Sequence, residues 1–196
     1  MFDRGQVSYL SCEEAVFIQQ WSKFNPETRA NRYASDLLMP TSMFKPRAAA
    51  FRVIDFNAVK ALCGIFGTSL TATAIRLVEH GPLPAMLICS LGESLVWYVR
   101  GADTQRLWPR PASRDTFAYD ILHNGADENS GEVQADAWFD HPIADRYSLH
   151  EHSLRGFAGH VLTLLWWKRE QMLIDVDEYE ERKDSRRSDS WRDRDE

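Results

Sequence analysis

An α+β fold is predicted by three features of the chain. Helix-capping signals crowd residues 11–80, and β-favouring apolar runs begin only after Pro82. The run His160–Trp167, HVLTLLWW, is nearly all apolar, as a central strand is. The 196 residues suffice for one large domain or two small ones. Hydrophobic residues make up 44% of them and include seven Trp, enough for a true core.

Ser11-Cys-Glu-Glu14 has the S-x-x-E form of a capping box. Val16, Phe17 and Trp21 then give a short helix its apolar face. Asn25-Pro26 marks a second start, with Asn at the N-cap, Pro at the first helical position and Glu27 in the first turn. This helix is expected to reach Met39, where Pro40 stops it. Ala30, Tyr33, Ala34, Leu37 and Leu38 recur at spacings of three and four, which predicts one buried stripe. Residues 41–51, carrying Pro46, read as a connector. Asp55 caps a helix over Phe56–Phe66 that Gly67 ends. Thr68 or Ser69 caps the next, from Leu70 to about His80, ended by Gly81-Pro82. Helices joined so closely form a helical hairpin or a helix-turn-helix arrangement.

Met86–Ser90 and Leu95–Arg100 flank Leu91-Gly-Glu-Ser94 and predict a hairpin. Residues 101–112 read as a loop with Pro109 and Pro111. Ser113 is expected to cap a helix through about His123. Asn124-Gly125 and Asn129-Ser-Gly131 are turn signals, and Val133–Asp140, Tyr147–Leu154 and His160–Trp167 read as strands. From Glu178 onward 14 of 19 residues are charged, eight acids against six bases, which predicts a disordered tail or a frayed helix.

The net charge of −6 argues against a general nucleic-acid binder. Residues 69–80 offer Arg76 as their one base beside Thr71, Thr73 and Glu79, so packing or partner docking is expected of that helix rather than DNA readout. Cys12, Cys63 and Cys89 are widely spaced and read as buried reduced thiols. The first ten residues lack an apolar signal core, and no apolar run approaches the roughly 20 residues of a membrane span. A soluble cytoplasmic chain is the expectation.

Residues 27–40 carry E-x-x-A-N-x-Y-A-x-x-L-L-M-P: Glu27, Ala30, Asn31, Tyr33, Ala34 and Leu37–Pro40, in fixed order. This resembles the second motif of the ImmA/IrrE family of zinc metallopeptidases, with Tyr33 where Phe is usual. The resemblance implies that Glu27 is the third zinc ligand and that Asn31 and Tyr33 support the motif. It also implies a zincin-like helical remnant over 1–50, a helical hairpin or helix-turn-helix-like segment over 51–82, and a GAF-like α+β sensor-type domain with an antiparallel sheet over 83–177. A charged tail follows at 178–196. Family members cleave a partner transcriptional repressor, of helix-turn-helix type, in stress or mobile-element regulation.

The family's first motif, H-E-x-x-H, supplies two imidazoles one helical turn apart and a Glu that takes the proton of the attacking water. It is absent, since no histidine precedes His80. The missing helix is expected upstream of Met1, and the chain is expected to be inactive as it stands, without zinc. The alternatives are a non-catalytic regulatory or ligand-binding protein and a degenerate fragment. His150-Glu151-His152 places two histidines on one face of a strand, where they could pair on a metal with His160 or His141. Ordinary polar surface is the favoured reading of these histidines. Cys12 beside Glu13 and Glu14 lacks activation, and Asp140-His141 with Asp145 lacks a nucleophile motif. Gly64, Gly67 and Gly81 form no phosphate loop.

Overall fold

The computed structural model describes residues 26–192, with side-chain surroundings over 32–185. The capped helix expected at 11–21 lies outside these residues.

Four helices come first: α1 Pro26–Leu38, α2 Thr41–Ala48, α3 Phe56–Phe66 and α4 Leu70–His80. The caps of α3 and α4 fall where the sequence places them. Asp55 accepts from the Ala58 amide, and Ser69 from that of Ala72. Gly67 ends α3 at φ 64°, a left-handed conformation that costs a residue with a Cβ but not glycine. The axes of α3 and α4 turn by 108° between them.

The expected connector at 41–51 is instead largely helical. Pro46 removes one backbone donor, but Phe44 and Ala48, four residues apart, both land in the core. Burying Phe44 contributes roughly 2 kcal/mol, which offsets much of the roughly 3 kcal/mol that an interior proline costs a helix. Its ring lies 5.5 Å from that of Phe66.

The second half is a five-stranded antiparallel sheet among the described residues, in the order β2-β1-β5-β4-β3. The strands are β1 Ala85–Leu91, β2 Ser94–Arg100, β3 Glu128–Gln134, β4 Ser148–Arg155 and β5 Val161–Trp166. The β1–β2 hairpin closes through Gly92 at φ 54°, and a bulge shifts its register at Cys89/Ser90. Every residue of β5 is buried, as a strand covered on both faces requires.

Three expectations here are corrected. The helix α5, Phe117–His123, starts four residues after Ser113 and is capped by Thr116, while Ser113 donates to the Ala137 carbonyl. Asn129-Ser-Gly131 is no turn: it pairs with Ser153-His152-Glu151 inside β3. β3 ends at Gln134, and Ala135–Ala137 forms a 3-10 turn that swings Trp138 into the core. As far as Arg192, the charged tail belongs to a long helix, α6 Gln171–Arg192, whose first turns bury Met172, Leu173 and Val176. Intrahelical pairs such as Glu178–Arg182 support the exposed turns.

Two cores sandwich the sheet. One joins Met39, Phe44, Phe56, Leu62 and Leu77 to Leu87, Leu154 and Leu164. The helices before Pro82 and the strands after it thus share one apolar interior. The other core joins Met86, Ile88 and Leu165 to Trp138, Phe139, Trp167 and α6. No single described helix is long and apolar enough to cross a membrane.

Candidate functional site

Glu27 is the second residue of α1, in the turn where the helix dipole favours a carboxylate. Asn31 follows one turn later, and Tyr33 half a turn beyond it. Of the apolar stripe predicted to be buried, the described members are exposed. Leu37 is 80% exposed, Tyr33 64% and Leu38 57%, and Ala34 is exposed as well. Spacing specifies that a helix has an apolar side, but burial needs a second surface to cover it. Among the described residues, nothing covers these three large apolar side chains.

The anchored end of α1 is the other one. Met39 is buried, and its carbonyl accepts from Arg76 Nε at 3.1 Å and Nη2 at 2.9 Å. The same guanidinium donates to Thr41 Oγ1 at 2.8 Å and pairs with Asp36 Oδ1 at 2.8 Å. Arg76 is buried for this purpose. The single base that the sequence offers on α4 therefore faces inward, and Glu79 is the one residue of that helix classed as exposed. α4 packs into the first core through Ala74, Leu77 and Val78.

The His150-Glu151-His152 segment has a different use from the one that its spacing suggests. His152 Nδ1 accepts the Phe56 amide at 3.3 Å, at the start of α3. Its proton then resides on Nε2, which meets Glu128 Oε1 at 2.8 Å. Glu128 also receives Lys60 Nζ at 3.0 Å. The Lys60 hydrogen bond, more than His152, holds the Glu128 carboxyl below its ordinary range. Glu151 faces the opposite side of the sheet and accepts the Ala118 amide at 2.6 Å, at the start of α5. Adjacent residues of β4 thus satisfy orphan helix amides on both faces of the sheet. His150 stacks on Trp166 at 5.2 Å, and burial pushes its pKa down. The two histidines are committed to different partners. His160 binds the Phe157 carbonyl, and His141 packs edge-on against Tyr179 of α6 with Nε2 3.4 Å from Glu180. The histidines do not converge. Among the described residues no group of three His, Cys, Asp or Glu could hold a metal ion.

His152→Ala strips the Phe56 amide of its acceptor and opens a cavity beneath α3. Urea unfolding should show a loss of about 2–3 kcal/mol. A loss under ~0.5 kcal/mol would contradict this capping role.

The cysteines are structural. Cys63 donates to Thr73 Oγ1 at 3.3 Å and burial raises its pKa, the opposite of an activated thiol. Cys89 is buried in the first core, and Cys12 lies outside the described residues. Sequence reasoning did not find Arg76 as an anchor or Glu151 as a cap, since both act across more than 30 residues of chain. For Arg76 the one signal is a charge within a largely apolar helix; Glu151, in the polar strand SLHEHSLR, gives none.

No protein-family model matches the chain, and no curated protein matches it.

Proposed function

We propose that the chain carries one half of an ImmA/IrrE-like zinc metallo-endopeptidase site, with α1 as that half. Glu27 is the third ligand, and the exposed side of α1 seats the helix that bears H-E-x-x-H. The exposed Tyr33, Ala34, Leu37 and Leu38 carry this reading, because they give the described part of α1 an apolar side suited to packing against a second helix. The order of Glu27, Asn31, Tyr33 and Leu37–Pro40 along that helix supports it further.

The residues of this chain do not fit zinc by themselves. A catalytic zinc takes about three protein ligands and one open position. The motif supplies Glu27 as its one ligand carboxylate, the other acid of α1, Asp36, is paired with Arg76, and no histidine precedes His80. No hydrolytic step is therefore assigned to residues 1–196. In the complete site the substrate is a partner transcriptional repressor. The antiparallel sheet with helices on both faces supports a GAF-like, sensor-type role for the second half.

The purified chain tests the first part directly. After gel filtration in zinc-containing buffer, elemental analysis should find well under one zinc per chain, and no repressor cleavage should follow. One tightly held zinc per chain, lost on Glu27→Ala, would overturn the half-site reading in favour of a complete one.

A further inference from the structure

We infer that Arg76 is the positioning residue of the motif helix, fixing where α1, and with it Glu27, stands relative to the sheet. Three observations carry this. First, α2 begins after Pro40, against the end of α1, with no side-chain cap. Pro40 occupies the N-cap of α2 and has no side chain that can cap it, and the Met39 carbonyl lies past the last turn of α1. One guanidinium supplies what both ends lack, through Met39 O, Thr41 Oγ1 and Asp36 Oδ1. A cation at a helix C-terminus also complements the dipole.

Second, α1 has no comparable hold elsewhere among the described side chains. Arg32, Tyr33, Ala34, Asp36, Leu37 and Leu38 are exposed and Ser35 is half-buried. Among the described side chains, the hold on α1 is concentrated at its last turn. Position 27 of the helix lies twelve residues from Met39, about 18 Å along the axis, so a small change of angle at the clamp becomes a large displacement of the backbone there. Third, α4, which carries Arg76, is built into the first core through Ala74, Leu77 and Val78, so the clamp is mounted on a rigid base. Lysine cannot replace it, because a point ammonium cannot match the planar fork that reaches three acceptors.

The functional weight of this placement rests on the half-site reading, but the placement does not. Hydrogen exchange of the full-length chain, followed by mass spectrometry, tests it without zinc or substrate. Peptides covering 27–41 should exchange at least tenfold faster in Arg76→Lys than in the parent, while peptides of β5 stay within about twofold. The double variant Asp36→Asn/Thr41→Val removes two acceptors and leaves Arg76 in place. It should shift the same peptides in the same direction, even if Arg76→Lys folds poorly. Unchanged exchange over 27–41, or equal acceleration in α1 and β5, would overturn the positioning role. Failure of the zinc reading leaves these exchange results untouched, so the two proposals fail separately.

Discussion

Glu151→Ala should lower the free energy of unfolding by roughly 3–5 kcal/mol in urea titration, the largest single loss expected from a polar residue here. The carboxylate is fully buried and takes three donors: the Ala118 amide at 2.6 Å, Ser153 Oγ at 2.7 Å and Trp138 Nε1 at 2.9 Å. Alanine leaves the indole and the first turn of α5 with buried, unsatisfied N–H groups, and it leaves a cavity. Glu151→Gln keeps the volume and should cost less, because one amide oxygen still accepts. Its cost should also depend on pH. Burial raises the Glu151 pKa above its ordinary value, against the pull of its donors. A raised carboxyl contributes stability that is present below the unfolded pKa and is lost as pH rises through the folded one. The Gln variant lacks that slope, so its deficit should shrink from acid toward neutral pH. A deficit that grows with pH would contradict the assignment.

Trp138→Ala should cost a similar amount, about 3–5 kcal/mol, by a different route. The indole is fully buried between Ala135, Phe139 and the α5 side of the sheet, and its ring is among the largest in the core. Trp138→Phe isolates the hydrogen bond from the packing and should cost about 1–2 kcal/mol. The two sites are not independent. In a double-mutant cycle Glu151→Ala and Trp138→Phe should together cost less than their sum, by about 0.5–3 kcal/mol, since each removes the partner of the other. Strict additivity would mean that the 2.9 Å contact contributes nothing in solution.

What the sequence reveals about this chain follows the range of the forces involved. Asp55, Gly67 and Ser69 act within three or four residues of where they stand, so α3 and α4 are legible almost to the residue. β5 is legible as central because burial on both faces leaves an all-apolar run. α2 is not, since Pro46 speaks locally against it while Phe44 is held by residues far along the chain. The stripe on α1 shows the converse. Its periodicity correctly marks a helix with an apolar side, but a pattern within one helix carries no information about what covers that side. The β4 histidines were open to a metal reading for the same reason. Their spacing puts His150 and His152 on one face, while their partners, Trp166, Phe56 and Glu128, are brought there by the fold alone. The placement of Glu27 in a first turn was legible from Asn25-Pro26, and the clamp at the far end of its helix was not, because Arg76 is 37 residues from the carbonyl it binds.

The half-site claim is tested most directly by the metal content of a longer product of the same gene. The DNA upstream of the Met1 codon is translated in frame, the extended chain is produced, and its zinc is counted beside that of its Glu27→Ala variant. The half-site reading predicts an H-E-x-x-H helix upstream, one zinc per extended chain, and loss of that zinc on Glu27→Ala. In-frame stop codons with no H-E-x-x-H before them, or zinc that Glu27→Ala leaves in place, would contradict it.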